Sequence, residues 1–349
     1  MRIASAASAL PPHKYSQQVL LAALVKYWGA KVDNPRFLER LHERVGVETR
    51  SLSLPLEKYT SIHTWGEANN HWIEVAQTLG EQALRLALER AGLTGADLGA
   101  LFFVSVTGIC SPSIDARLVN RMRLPLDIKR VPIFGLGCVA GAAGIARAAD
   151  YVKAYPNQVA AVVAVELCSL TLQKDDLSVA NLISSGLFGD GAAATLIAGA
   201  ERKAAGPAIL ATRSVFYPNT EQVMGWDISE KGFRIVLSRE VPEVVDKHLA
   251  ADVDAFLAAH SLSRGDIESW VLHTGGPRIL EATETALALP AGALAASWEC
   301  LRRTGNLSSA CVIFVLEEFM MNRRPAVGSY GLLAAMGPGF CSELVLLRW

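Results

Sequence analysis

Two stretches half a chain apart carry one pattern, and that repetition limits the fold more than any other feature of the sequence. From Trp72 to Ala91 apolar residues recur at spacings of three and four (Ile73, Ala76, Leu79, Ala83, Leu86, Ala87), which predicts a helix. A turn follows at Leu93, then a buried strand, Leu101-Phe102-Phe103-Val104-Ser105-Val106. The second stretch repeats this order with a helix from Val244 to Ala258, a turn from Leu262 to Ile267, and the strand Trp270-Val271-Leu272-His273-Thr274-Gly275. The two align without gaps, Leu93 on Leu262, Asp97 on Asp266, Leu98 on Ile267 and Phe103 on Leu272, at an offset of about 169 residues. That period is half the chain, so the unit is a duplicated α/β module rather than a solenoid repeat. Phe188-Gly189-Asp190-Gly191-Ala192 and Met336-Gly337-Pro338-Gly339-Phe340 form a further pair, each ahead of a strand.

Composition agrees with stacked layers. Of 349 residues 51% are hydrophobic and only 19% charged, so whole elements must be buried in one large domain or two tightly packed ones. A net charge of -1 gives no electrostatic case for nucleic acid. The six cysteines are scattered without C-x-x-C or metal spacing, which points to reduced thiols, no metal and a cytoplasmic protein. Ile3 to Leu10 reads as a first strand rather than a signal peptide, and no apolar run approaches the roughly 18 residues of a membrane span. Residues 15 to 62 read as helical and surface-rich, with Phe37, Leu38 and Leu41 on one face. The basic-edged turn Arg44 to Arg50 supplies two arginines suited to gripping a phosphate.

The chemistry gathers around Phe134-Gly135-Leu136-Gly137-Cys138-Val139-Ala140-Gly141. Val131-Pro132-Ile133-Phe134 reads as a short buried strand, and helical spacing leads out from Ile145 to Tyr155. A thiol between them, at a helix N-terminus, feels the positive end of the dipole, which favours the thiolate. Free cysteines are commonly just small core residues. Gly135, Gly137 and Ala140 also fit a dinucleotide fingerprint, with Glu166 near the place of a ribose-binding acid, but a lone fingerprint of this kind is weak. The repeat offers a third reading. Adding its offset to Cys138 lands on Leu307, beside Asn306, in a small-residue turn that opens the helix Cys311 to Met321. His273 ends an apolar strand in the same repeat, whereas the six other histidines sit in polar or helical surroundings. Cysteine, histidine and asparagine together can make an activated nucleophile with a neutral hydrogen-bond donor beside it, for acyl-enzyme hydrolysis or for carbon–carbon bond formation.

Gly137-Cys138-Val139-Ala140-Gly141, Val165 to Thr171, Leu187 to Ala193, His273-Thr274-Gly275-Gly276-Pro277, Gly305 to Cys311 and Gly337-Pro338-Gly339 resemble, in order, the motifs of the type III polyketide synthases, the chalcone synthase-like branch of the thiolase superfamily. The resemblance covers roughly residues 30 to 349 and displaces the dinucleotide reading. It implies a duplicated thiolase-like αβαβα layered fold, with an N-terminal half over residues 1–205 and a C-terminal half over 206–349, in a homodimer. It also implies that Cys138, His273 and Asn306 are the catalytic triad. An acyl-CoA starter would load on Cys138, and malonyl-CoA would decarboxylate against His273 and Asn306. The resulting enolate would attack the bound acyl group, and ring closure would release the chain, with no cofactor beyond the CoA thioesters. Phe188 matches the family's gatekeeping phenylalanine, and Arg44 and Arg50 are candidates for holding CoA.

The pattern departs from the plant enzymes at Ile235, in place of a second gatekeeping phenylalanine, and at Trp226, in place of a small cavity residue. Val106, Cys110, Ser111, Cys168, Thr171 and Ser308 fall at cavity-wall positions. The segments 225 to 242 and 166 to 171 look closest to bacterial alkylpyrone and alkylresorcinol synthases, which implies a medium- or long-chain fatty acyl starter. The rival readings are a ketoacyl synthase III-like condensing enzyme, which would carry an Asn soon after the histidine where Gly275-Gly276-Pro277 stands, and a non-catalytic acyl-CoA-binding paralogue.

Overall fold

The computed structural model describes residues 1–29, 31 and 35–349. A nine-stranded mixed sheet runs through it in the order Ile267–Leu272, Tyr330–Gly337, Cys341–Arg348, Ala208–Phe216, Arg2–Ala9, Asp190–Ala198, Val159–Leu167, Leu98–Val104 and Lys129–Ile133. The halves meet where Arg2 pairs with Ala208. Outward from that seam each half repeats the same pairings, two antiparallel and then a parallel one. The N-terminal half adds Lys129–Ile133 as an edge strand. Here the expectation of a buried strand fails: the segment is half-buried, and Phe134 is 48% exposed. An edge is where a strand accommodates Pro132, which has no N–H for a second neighbour.

The helices Ala140–Ala154 and Cys311–Met321 lie between the two halves and share one core with strands of both. The first is enclosed along most of its length, with its three charged residues Arg147, Asp150 and Lys153 exposed, as an Ala/Gly-rich helix with so few charges must be. Trp65–Ala91 covers the outer face of the N-terminal strands with one stripe (Trp72, Ala76, Leu79, Ala83, Leu84, Ala87). Val241–Ala258, Pro277–Leu287 and Ala295–Thr304 cover the other outer face. Helix, strand, helix, strand, helix is the duplicated thiolase-like αβαβα arrangement. The matched Asp97 and Asp266 have one job. Each closes a capping box, with Thr94 and with Ser263, in a one-turn helix that feeds the next strand.

Residues 15 to 62 are more structured than their surface-rich composition suggests. They hold the helices Gln17–Trp28 and Pro35–Arg44, and the strand Thr49–Leu52 pairs with His13–Ser16. Among the described residues no helix is long and apolar enough to cross a membrane.

Glycine sets the approach of the two middle helices. A Cβ on Gly141 would lie 2.1 Å from the Ser309 carbonyl oxygen, a backbone atom that cannot step aside. Gly137, at φ +54°, packs where a Cβ would meet the Pro338 ring at 2.7 Å. Gly141→Ala should therefore force the helices apart and destabilise the protein by about 3 kcal/mol, the upper end of ordinary overpacking. Denaturant unfolding checks this, and a variant as stable as the parent would contradict it.

Candidate active site

Cys138 sits in the one-turn helix Gly137–Val139, immediately ahead of Ala140–Ala154. The equivalent turn in the other half, Ser308–Ala310, precedes Cys311–Met321. The structural register differs by two residues from the one the repeat suggests, so Cys138 stands opposite Ser309 rather than Leu307. Ser308 Oγ lies 3.6 Å from Cys138 Sγ. His273 follows the strand Ile267–Leu272, and its N–H donates to the Ala334 carbonyl at 3.1 Å. Asn306 is fixed from several sides. Its backbone N–H donates to Leu187 O (2.8 Å), and its carbonyl accepts from Gly189 N (3.0 Å). Its Oδ1 accepts from Ser308 N (2.7 Å), while Nδ2 donates to Gly275 O (3.2 Å). Cys138, His273, Asn306 and Phe188 line one small cavity of about 60 Å³.

A second cavity, of about 620 Å³, lies on the other side of Phe188, which alone among the described residues lines both. Cys168, Thr171, Trp226, Ile235 and Arg50 are in its wall. Val106, Cys110, Ser111, Ser308 and Arg44 line neither cavity. Val106 is buried and donates its N–H to Glu166, Cys110 is half-buried, and Ser111 and Arg44 are exposed. Arg50 is only 4% exposed and bonds to protein groups, so it does not stand at the surface as a phosphate grip would. Glu166, once a candidate ribose ligand, is wholly enclosed. Its carboxylate accepts from Ser105 Oγ (3.3 Å), Val106 N (3.1 Å) and Thr107 Oγ1 (2.9 Å), and from Ser309 Oγ. Both oxygens are engaged and shut away from solvent, so a sugar hydroxyl has no access to them.

Comparison with known proteins decides among the condensing enzymes that share this geometry. The N-terminal domain of chalcone and stilbene synthases matches residues 24–202, and their C-terminal domain matches 208–349. The chain belongs to this family, the type III polyketide synthases. A 1,3,6,8-tetrahydroxynaphthalene synthase of Streptomyces peucetius subsp. caesius is 49% identical over 99% of this chain and 93% of that protein. A phloroglucinol synthase of Pseudomonas fluorescens is 32% identical over 97% of this chain and 96% of its own length. The crystal structure of the Streptomyces coelicolor tetrahydroxynaphthalene synthase superimposes with a TM-score of 0.95 at 32% identity, covering 100% of this chain and 99% of that one. None of the three is named for an alkylpyrone or an alkylresorcinol. This synthase is thus an acyltransferase that works on CoA thioesters by decarboxylative Claisen condensation with malonyl-CoA.

Several cavity residues of the synthase escaped the sequence. Leu20, Leu24 and Tyr27 of Gln17–Trp28, and Tyr59, reach the larger cavity. Val241, Val245 and Leu249 line the smaller one. The last three recur every fourth residue, which marks a buried helix face but not that the face borders a cavity. Among the described residues no three His, Cys, Asp or Glu side chains gather as metal ligands would.

Electrostatics at Cys138 run against the helix-dipole expectation. Burial pushes the thiol up to about 12, with the nearby Glu166 carboxyl adding to the rise and Ser308 and Asn306 opposing it. Burial likewise lowers His273 to about 4, and its Nδ1 has no hydrogen-bond partner among the described residues. Each group alone favours its neutral form. A thiolate here would need a nearby cation, because an opposite charge offsets what burial costs, and His273 lines the same cavity. If His273 supplies that cation, His273→Ala removes it, so the pH midpoint for alkylation of Cys138 by iodoacetamide should rise. An unshifted midpoint in the folded variant would show that His273 does not hold the thiolate.

Proposed function

We propose that Cys138 is the nucleophile of this synthase, that His273 takes its proton, and that His273 and Asn306 together stabilise the enolate formed as malonyl-CoA loses carbon dioxide. The observation that carries this reading is the convergence of the three side chains on one cavity at the paired turns of the two halves. An uncharged amide suits the enolate because it donates without titrating, and Oδ1 of Asn306 is already taken by Ser308 N, which leaves Nδ2 to donate. Phe188, between the cavities, acts as the gate. The halves 1–205 and 206–349 carry the nucleophile and its two partners respectively, the exposed Arg44 is the better CoA contact of the two arginines, and the working form is a homodimer in the cytoplasm.

For the substrate, malonyl-CoA serves as starter as well as extender, and the product is a polyhydroxylated naphthalene. Support comes from the relative at 49% identity, named for 1,3,6,8-tetrahydroxynaphthalene. Malonyl units place oxygen on alternate carbons, which is the arrangement such a ring needs. The second reading, a medium- or long-chain fatty acyl starter with alkylpyrone or alkylresorcinol products, is favoured by the larger cavity, whose leucines could bury an alkyl chain at about 0.8 kcal/mol per methylene.

Incubation with malonyl-CoA, alone and with acyl-CoA starters from acetyl to stearoyl, separates the two by mass spectrometry. A naphthalene product from malonyl-CoA alone is expected. Products that form only with acyl starters, more abundantly as the chain lengthens, would overturn the malonyl starter in favour of the alkyl one. Cys138→Ala should abolish condensation but retain some malonyl-CoA decarboxylation, and undiminished product from that variant would overturn the mechanism.

A further inference from the structure

The helix Val179–Leu187 ends directly before Phe188, and its last carbonyls need donors. Three parts of the chain supply them in succession. Gln17 Nε2 donates to Gly186 O (2.9 Å), Asn306 N to Leu187 O (2.8 Å), and Arg50 Nη1 to Phe188 O (2.7 Å). Arg50 Nε also donates to Gln17 Oε1 (3.2 Å), so the outer two donors brace one another. The arginine stem lies along Gly305, where a Cβ would come within 3.1 Å of Arg50 Cδ. Asn306 and Phe188 are joined as a two-residue parallel bridge, through the bond to Leu187 O and a second from Gly189 N to Asn306 O.

A buried guanidinium is retained only where something offsets its lost hydration. No carboxylate forms an ion pair with Arg50 among the described residues, and Asp190 acts on it only through its field. Asp190 is held by Ser53 N (2.6 Å) and Ser169 N (2.8 Å). What faces the cation directly is the negative end of the helix that delivers Phe188. A phosphate grip would face solvent, whereas this side chain faces the backbone of the gate.

We infer that Arg50 is a positioning residue of the condensing site: it locks the backbone at Phe188 and, through the Phe188–Asn306 bridge, sets the Asn306 amide against the reacting thioester. The inference rests on the proposed roles of Phe188 and Asn306. It assigns Arg50 to kcat, where a CoA contact would act on KM.

The test compares Arg50→Met, which keeps the stem and removes every donor, with Arg50→Lys and Gln17→Leu in the full-length protein. In Arg50→Met, kcat for both malonyl-CoA decarboxylation and product formation should fall roughly tenfold to a hundredfold, the loss expected when a charged hydrogen bond to a reacting assembly is removed. KM for malonyl-CoA should stay within about twofold, and the rate of Cys138 alkylation should be unchanged because its turn has no bond to Arg50. Arg50→Lys, with one cationic donor, should recover part of the loss. Gln17→Leu, which removes the brace alone, should show the same split to a smaller degree and decides the matter if Arg50→Met does not fold. A loss confined to KM would restore the CoA-contact reading, and unchanged kcat in a folded variant, or Cys138 alkylation altered in parallel with kcat, would overturn the inference. Cys138→Ala and Asn306→Ala run alongside. If they turn over normally, the proposed mechanism fails; if they are inactive while Arg50→Met is not, only the role of Arg50 fails.

Discussion

The site depends on how closely the N-termini of two buried helices can approach. Each helix is introduced by a single tight turn, one holding Cys138 and the other following Asn306, and the turns meet only because Gly141 has no side chain to strike Ser309 O. The same contact explains the buried carboxyl of Glu166, which takes Ser309 from one half and Ser105, Val106 and Thr107 from the other. Four donors are needed to keep that carboxyl in place, and even so burial raises it to about 7. Glu166 therefore works as a cross-tie between the halves, whose ionisation is disfavoured by its enclosure rather than by a like charge.

Enclosure sets the other electrostatics as well, and each group answers it differently. Asp190, fully buried, is raised by desolvation while hydrogen bonds from Ser53 and Ser169 hold it down. Arg50 is lowered to about 10 by desolvation, with the fields of Asp190, Cys168 and Tyr59 opposing. Cys138 has Ser308 and Asn306 as partial compensation, whereas His273 is lowered by burial with nothing opposing it. Asp190 and Glu166 are satisfied by backbone and hydroxyl donors, whereas Nδ1 of His273 has no partner among the described residues, which is the arrangement expected where a substrate is to supply a missing contact.

What the sequence disclosed follows from the duplication. Paired helices, paired capping boxes at Asp97 and Asp266, and paired small-residue turns were legible because the same local physics is written twice, and the layered fold follows from burying both copies on one middle layer. The exact match at the turns was not legible: counting residues put Leu307 opposite Cys138, and the structure puts Ser309 there, because a slip of two residues in a connecting loop leaves no mark in an apolar pattern. The burial of Arg50 was not legible for a related reason. Beside Glu48 and Thr49 it reads as a surface charge, and only the pairing of Thr49–Leu52 with His13–Ser16 turns it inward. Pro132 did carry a usable signal, since proline in a strand argues for an edge.

The two cavities divide along the same line. Cys138, His273 and Asn306 stand on elements that recur in both halves, and tight backbone packing ties their geometry to the stability of the fold. The larger cavity draws on elements outside the repeat: the helix Gln17–Trp28, the segment around Tyr59, and the hairpin formed by Met224–Ser229 and Gly232–Leu237, from which Trp226 and Ile235 point inward. Substitutions there change a wall without moving the two turns, so starter and chain length can vary while the condensing chemistry stays the same. Phe188 is where the two regimes touch, because its ring borders both spaces while its backbone is held by Arg50 and Asn306. A change in selectivity that leaves condensation intact is therefore more readily reached through Trp226 or Ile235 than through Phe188, whose displacement would disturb the bonds its neighbours Leu187 and Gly189 make to the Asn306 backbone.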